Sequence, residues 1–105
     1  MQVSEQIKVV QKSVENFYKE AKLWESYMPE LTESQEQHVI QIGTSILCTK
    51  WGIGYEGGSF VQSVVNNDLM GAVGRADATN AKMLPFYCKM MYNVGLPTEL
   101  QLIRK

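Results

Sequence analysis

Between Gly57 and Ala81 the chain carries only three charges, Asp68, Arg75 and Asp77, and Arg75 is the one cation among them. A guanidinium presents a planar fork of N–H donors that matches a phosphate or a carboxylate. Ser59, Asn66, Asn67 and Asn80 stand nearby in sequence as neutral hydrogen-bonding groups, and Trp51, Tyr55 and Phe60 offer rings on which a base could stack. Apolar walls with a few convergent polar groups are the usual make-up of a small-molecule site. Such a set suits the binding of an anion better than catalysis. Arg75 and Asp77 stand two apart and cannot meet across one helix, so each needs a partner elsewhere, Arg75 with Asp68 or Glu56. The competing reading is that these charges are purely structural, capping helices and pinning the loop.

Catalytic machinery is hard to assemble from what remains. A nucleophile needs its base, an acid its paired carboxylate, a metal its cluster. His38 is the only histidine, and it falls early in a helix with no second ligand at metal spacing on its face. Cys48 and Cys88 lie forty positions apart, with neither metal nor redox spacing, and read as two buried, reduced thiols. The expectation is a non-enzyme with no catalytic residue, no metal and no cofactor.

The Gly-rich run Gly52-Ile53-Gly54-Tyr55-Glu56-Gly57-Gly58 holds four glycines in seven residues, which implies positive φ or close backbone approach. Ser59-Phe60-Val61-Gln62 has capping-box spacing and predicts a helix starting at Ser59. Its free amides would face the Gly57-Gly58 turn, and a helix start of that kind holds anions. The run lacks the Gly-Lys-Ser/Thr of a phosphate loop and follows no strand, so both nucleotide-loop fingerprints fail. A plain structural turn is the competing reading. Together Tyr55, Gly57, Gly58, Ser59, Phe60, Asn67, Asp68, Arg75, Asp77 and Asn80 form the candidate ligand-binding set.

The elements that must position these residues are helical throughout. Val3, Ile7, Val10, Val14, Phe17, Ala21 and Trp24 alternate four and three apart, the mark of an amphipathic helix with a narrow seam. That seam either lies on the domain's core or pairs with a partner, its own copy included; residues 1–28 are therefore an N-terminal helix that could oligomerise. Pro29 stops it. Thr32 and Gln35 form a capping box for a second helix, in which Gly43 could admit a close neighbour and which Gly52 ends. The third helix runs from Ser59 through Val65, and a short fourth begins at Asn67 or Asp68, weakened by Gly71 and Gly74. Asp77 or Thr79 caps the last helix; Pro85 either starts it or kinks it, and Gly95 and Pro97 end it. Four of the six methionines fall from Met70 onward and fill core or line an adaptable face. The tail Leu100, Leu102, Ile103, Arg104 and Lys105 either frays or docks. The prediction is one all-α domain over 1–105, a compact bundle of about four to five helices with the Gly-rich loop before the third.

Composition narrows the partners. Ten Lys and Arg against eleven Asp and Glu give a net charge of −1, which leaves no field for polymeric nucleic acid. Residues 39–105 carry six bases and four acids, a tilt that fits one small anion. No signal-like start is present, and no apolar run reaches the roughly 18 residues of a membrane span, so no membrane is expected and the cytoplasm is the expected compartment.

The stretch Trp51–Asn93 resembles a group of small bacteriophage and prophage proteins. It carries Gly57-Gly58-Ser59-Phe60, Asn67-Asp68-Leu69, Arg75-Ala76-Asp77 with Asn80, and Tyr92-Asn93, against the group's Gly-Gly-Phe, Asn-Asp-Leu, Arg-Ala-Asp-x-x-Asn and Leu-Tyr-Asn. Tyr55 stands where the group's pattern has Pro, which implies a looser loop. The resemblance implies a viral origin, and with it the host-cell cytoplasm, more than a chemistry; small phage proteins without catalytic residues often act by binding, and the expectation is that this one sequesters a nucleotide signal of host immunity or docks on and blocks a host protein.

Overall fold

The computed structural model describes residues 1–103, and its first helix shows where the seam goes. In α1 (Val3–Trp24), Val10, Val14, Tyr18 and Ala21 are buried, and Ile7 and Phe17 pack against the same core. Val3 and Trp24, at the two ends, stay 50% and 79% exposed. Side chains three and four apart share one side of a helix, so the seam's centre lies on the chain's own interior and only its ends are left for a partner.

After Pro29, Thr32 caps α2 (Glu33–Trp51) in a complete box: Gln35 N–H donates to Thr32 Oγ1 at 3.2 Å, and Thr32 N–H donates to Gln35 Oε1 at 2.9 Å. Gly52, at φ 69°, ends the helix in the left-handed region, as glycine does without strain. Gly43 is a crossing point. A Cβ there would meet Val14 Cγ1 at 2.9 Å and Met90 Sδ at 3.3 Å, so its absence lets α1, α2 and the last long helix close on one another.

Residues 52–58 link α2 to α3 (Ser59–Val65), and α4 (Leu69–Arg75), α5 (Ala78–Asn93) and α6 (Thr98–Gln101) follow. Among the described residues there are six helices and no strand. The count exceeds the expected four to five through α6, which Pro97 opens and whose Leu100 is fully buried. The tail thus docks as far as Leu100, while Arg104 and Lys105 lie outside the described residues. Asp68 caps α4 and Asp77 caps α5 through their carboxylates, because a short acceptor satisfies N–H groups that the first turn leaves free.

Two expectations need correction. Ser59 does not cap α3: Gly58 is the N-cap, no side chain bonds it, and Gln62 Nε2 donates to Gly57 O at 2.7 Å. Cys88 is exposed while Cys48 is buried; burial pushes the Cys48 thiol up to about 11. Pro85 does not start α5 but lies inside it on an exposed face, where the carbonyl its ring leaves without a donor can take water. Among the methionines, Met83 and Met90 fill the core, whereas Met70 is 86% exposed.

The core centres on α5. Phe86 packs its ring at 5.6 Å from Phe17, 5.6 Å from Tyr18 and 5.8 Å from Tyr87, tilted and edge-on arrangements that aromatic quadrupoles favour. No helix among the described residues is long and apolar enough to cross a membrane.

Candidate functional site

The corner between α3 and α4 is built by Asn66-Asn67-Asp68. Asn66 N–H donates to Gln62 O at 2.9 Å and Asp68 N–H to Ser63 O at 2.8 Å, while Asn67 turns the chain at φ 59°. A short polar side chain makes that left-handed conformation affordable. The chain then doubles back, and α4 lies along α3. Asp68 Oδ1 accepts from Gly71 N–H at 3.0 Å, which leaves Oδ2 facing the last turn of α4.

Arg75, in that last turn, reaches back across the corner. Its Nη1 donates to Ser63 Oγ at 3.1 Å and stands 3.8 Å from Asp68 Oδ2. Gly71 makes room for this. A Cβ at Gly71 would collide with Asp68 Oδ2 and Arg75 Nη1, so a glycine that weakens α4 as a helix is what lets cation and carboxylate converge. Arg75 and Asp68 are 49% and 53% exposed, and an ion pair so wet contributes little to stability. Ser59, Gln62, Ser63, Asn66, Asp68 and Arg75 enclose a cleft of about 210 Å³.

Three of the ten candidate residues meet there: Ser59, Asp68 and Arg75. The others have different tasks. Gly57 N–H donates to Thr49 Oγ1 at 2.9 Å, and a Cβ at Gly57 would overlap Ser45 Oγ at 2.6 Å, so this glycine seats the linker on α2. Gly58 is extended at φ −69°, with open space where a Cβ would stand. Tyr55 is 99% exposed. Phe60 is buried, its ring 6.0 Å from that of Tyr87, and so faces the core instead of a ligand. Asn67 forms the turn.

Asn80 turns inward, whereas Asp77 stays at the surface with its side chain 54% exposed. Asp77 Oδ1 accepts from Asn80 N–H at 2.7 Å, and its Oδ2 lies 3.1 Å from His38 Nε2, tying α5 to α2. Asn80 is 4% exposed and its Oδ1 accepts from the Tyr87 hydroxyl at 2.7 Å. Burial, then the nearby Asp77 charge, holds the Tyr87 hydroxyl protonated far above its usual range. Asn80 and Tyr87 fasten α5 from inside and offer nothing to a ligand, while His38 and Asp77 remain open to water.

Gln62 and Ser63 were not among the candidates. Their signal was present: Ser59, Gln62, Ser63 and Asn66 recur three and four apart, one polar stripe along α3. Three larger cavities lie elsewhere, the smallest of about 390 Å³ lined by α1, Pro97 and Glu99. One of about 490 Å³ lies between α1 and α2, where Glu36 Oε2 accepts from Lys22 Nζ at 2.8 Å and from the Tyr18 hydroxyl at 2.7 Å. The Lys22 bond, then the Tyr18 bond, holds the Glu36 carboxyl below its usual range, and Tyr18 is held protonated. The third, of about 530 Å³, lies at the ends of α1 and α5. Among the described residues no group of His, Cys, Asp and Glu is placed to hold a metal ion.

No family model, no curated protein and no solved structure matches the chain.

Proposed function

We propose that the protein is a non-enzymatic binder of a small anionic ligand, a nucleotide by class, whose phosphate sits on Arg75 in the cleft between α3 and α4. The observation that carries this reading is the state of the guanidinium: half-exposed, with Ser63 Oγ as its hydrogen-bond partner and the neutral side chains of Ser59, Gln62 and Asn66 around the same cavity. A phosphate accepts two parallel N–H bonds from such a fork, and a wet carboxylate 3.8 Å away is a weak competitor. The cleft, about 210 Å³, is below the roughly 300 Å³ where whole-ligand pockets begin, so the sugar and base extend beyond it, onto the exposed rim or onto a second copy of the chain.

Catalysis has less support. Cys48 is buried with its thiol pushed up to about 11, and His38, though oriented by Asp77 as a general base can be, has no hydroxyl or thiol hydrogen-bonded to it among the described residues. The resemblance of Trp51–Asn93 to small phage proteins supports binding as the mode of action, with sequestration of a nucleotide immune signal in the host cytoplasm as the consequence.

Calorimetry against a panel of cyclic and linear nucleotides tests the reading. Heat from at least one member, with affinity about ten-fold or more weaker in Arg75→Ala as expected for loss of a charged bidentate contact, supports it. No heat from any member, or full affinity in Arg75→Ala, overturns it.

A second reading has its own observation. Leu69, Met70 and Val73 on α4 are 67%, 86% and 54% exposed, an apolar face suited to docking on a host protein. A partner retained by Arg75→Ala but lost on changing Leu69 and Val73 to Ser would favour it.

A further inference from the structure

The C-terminal ends of α1 and α5 open into one cavity of about 530 Å³, a volume within the range of small-molecule sites. Its walls include three aromatic side chains, Phe17, Trp24 and Tyr27, and two carboxylates, Glu20 and Glu25. Trp24 is 79% exposed, an unusual position for the largest apolar side chain. Glu20 and Glu25 have no ion-pair partner among the described residues. Helix C-termini add the negative ends of two backbone dipoles, and α1 stops at Trp24 while α5 stops at Asn93. The potential in the cavity is therefore negative and its surface aromatic.

A cation already samples this surface. Lys89 Nζ stands 4.6 Å from the centroid of the Tyr27 ring, although two unpaired carboxylates line the same cavity. An ammonium over an aromatic face is held by the ring quadrupole, most strongly when partly desolvated. Burial, and after it the Glu25 charge, pushes the Tyr27 hydroxyl up, so the Glu25 field reaches the ring that carries the cation.

We infer that this cavity is a binding site for a small alkylammonium cation, with the rings of Trp24 and Tyr27 as its faces, Glu20 and Glu25 as its counter-charges, and Lys89 as an internal competitor. The site is separate from the Arg75 cleft in residues and opposite in charge preference, and it stands whether or not that cleft binds a nucleotide. Choline and spermidine share the required ammonium group and differ in substitution, so a response to either identifies which form the aromatic faces accept.

The test uses the chain with Trp51→Phe, so that Trp24 is the only tryptophan and can be excited selectively over the five tyrosines. Its fluorescence is titrated with choline, with spermidine, and with 3,3-dimethylbutan-1-ol, which has choline's shape without its charge. The expected result is a saturable change with at least one cation and none with the neutral alcohol. Affinity should fall about three-fold or more in the Glu20→Gln, Glu25→Gln double variant, the size of effect expected of two exposed counter-charges, and should rise in Lys89→Met. No saturable change with either cation up to about 10 mM, beyond the weakest useful affinities, overturns the inference. So do an equal response to the neutral alcohol and weaker cation binding in Lys89→Met, which would contradict Lys89 as a competitor. Lys89 and both glutamates are exposed, and matched circular dichroism of the variants separates a lost site from a lost fold.

Discussion

At the start of α5, Asn80 faces the interior and takes the Tyr87 hydroxyl in a site 4% exposed. In the cleft between α3 and α4, Ser63 is likewise buried, but Asp68 and Asn66 face water beside a guanidinium that is 49% exposed. Asn66 and Asn80 come from the same run of sequence and are the same residue type. The difference lies in what each has left to offer. A buried polar group must be paired to be tolerated, and no buried side-chain polar atom among the described residues lacks a hydrogen-bond partner. The interior cluster is therefore complete and structural. The cleft cluster keeps donors in water, where exchanging a water for a phosphate oxygen is cheap.

Breaking the interior should cost most. Phe86→Ala removes a fully buried ring that touches three others, and about 3–5 kcal/mol of stability should go with it, read as the midpoint shift in urea. That is a large share of what a domain of this size holds. Asn80→Ala should cost about 1–3 kcal/mol by leaving the buried Tyr87 hydroxyl unpaired. Adding Tyr87→Phe should recover part of the loss, since no orphan donor remains. Absence of recovery in the double variant would remove Asn80 from the interior cluster.

Smaller effects belong to the surface. The Glu36 carboxyl is held low by Lys22 and Tyr18, so its folded state favours the ionised form. The stability it contributes is present above its ordinary value of 4.5 and is lost as pH falls through the depressed folded value. Glu36→Gln should accordingly be less stable than the parent at neutral pH, with the gap closing below about pH 4; a gap constant with pH would refute the account. Smallest of all, Arg75→Ala should change stability by less than about 0.5 kcal/mol while removing anion binding. A large stability loss would move Arg75 into the structural class with Asn80.

Local chemistry explains which features could be read in advance. The Thr32 box, the Gly52 stop and the acidic caps at Asp68 and Asp77 depend on neighbours within a turn, and the side of α1 that would be apolar follows from periodicity alone. Ser59 fails as a cap for a reason one position wide: Gly58 adopts the extended cap conformation and Gln62 bonds Gly57 O instead. Phe60, Asn80 and Cys88 depend on how α5 is rotated against α2 and α3, which tertiary packing decides and no single helix records. Phe60 and Asn80 therefore read as exposed ligand groups but are buried, and Cys88 reads as buried but is exposed. Gly71 shows the same limit. Its local cost as a helical glycine is visible, while its use, clearing space for Asp68 and Arg75, exists only once α4 has folded back.

Amide and guanidinium chemical-shift mapping of the full-length protein during titration with a cyclic and a linear nucleotide tests the phosphate site most directly. The account predicts saturable shifts at Ser59, Gln62, Ser63, Asn66 and the Arg75 Nε–H, with Asn80 and Tyr87 unmoved. Shifts confined to the α5 cluster or to other faces of the molecule, or no shifts with either nucleotide, would contradict it.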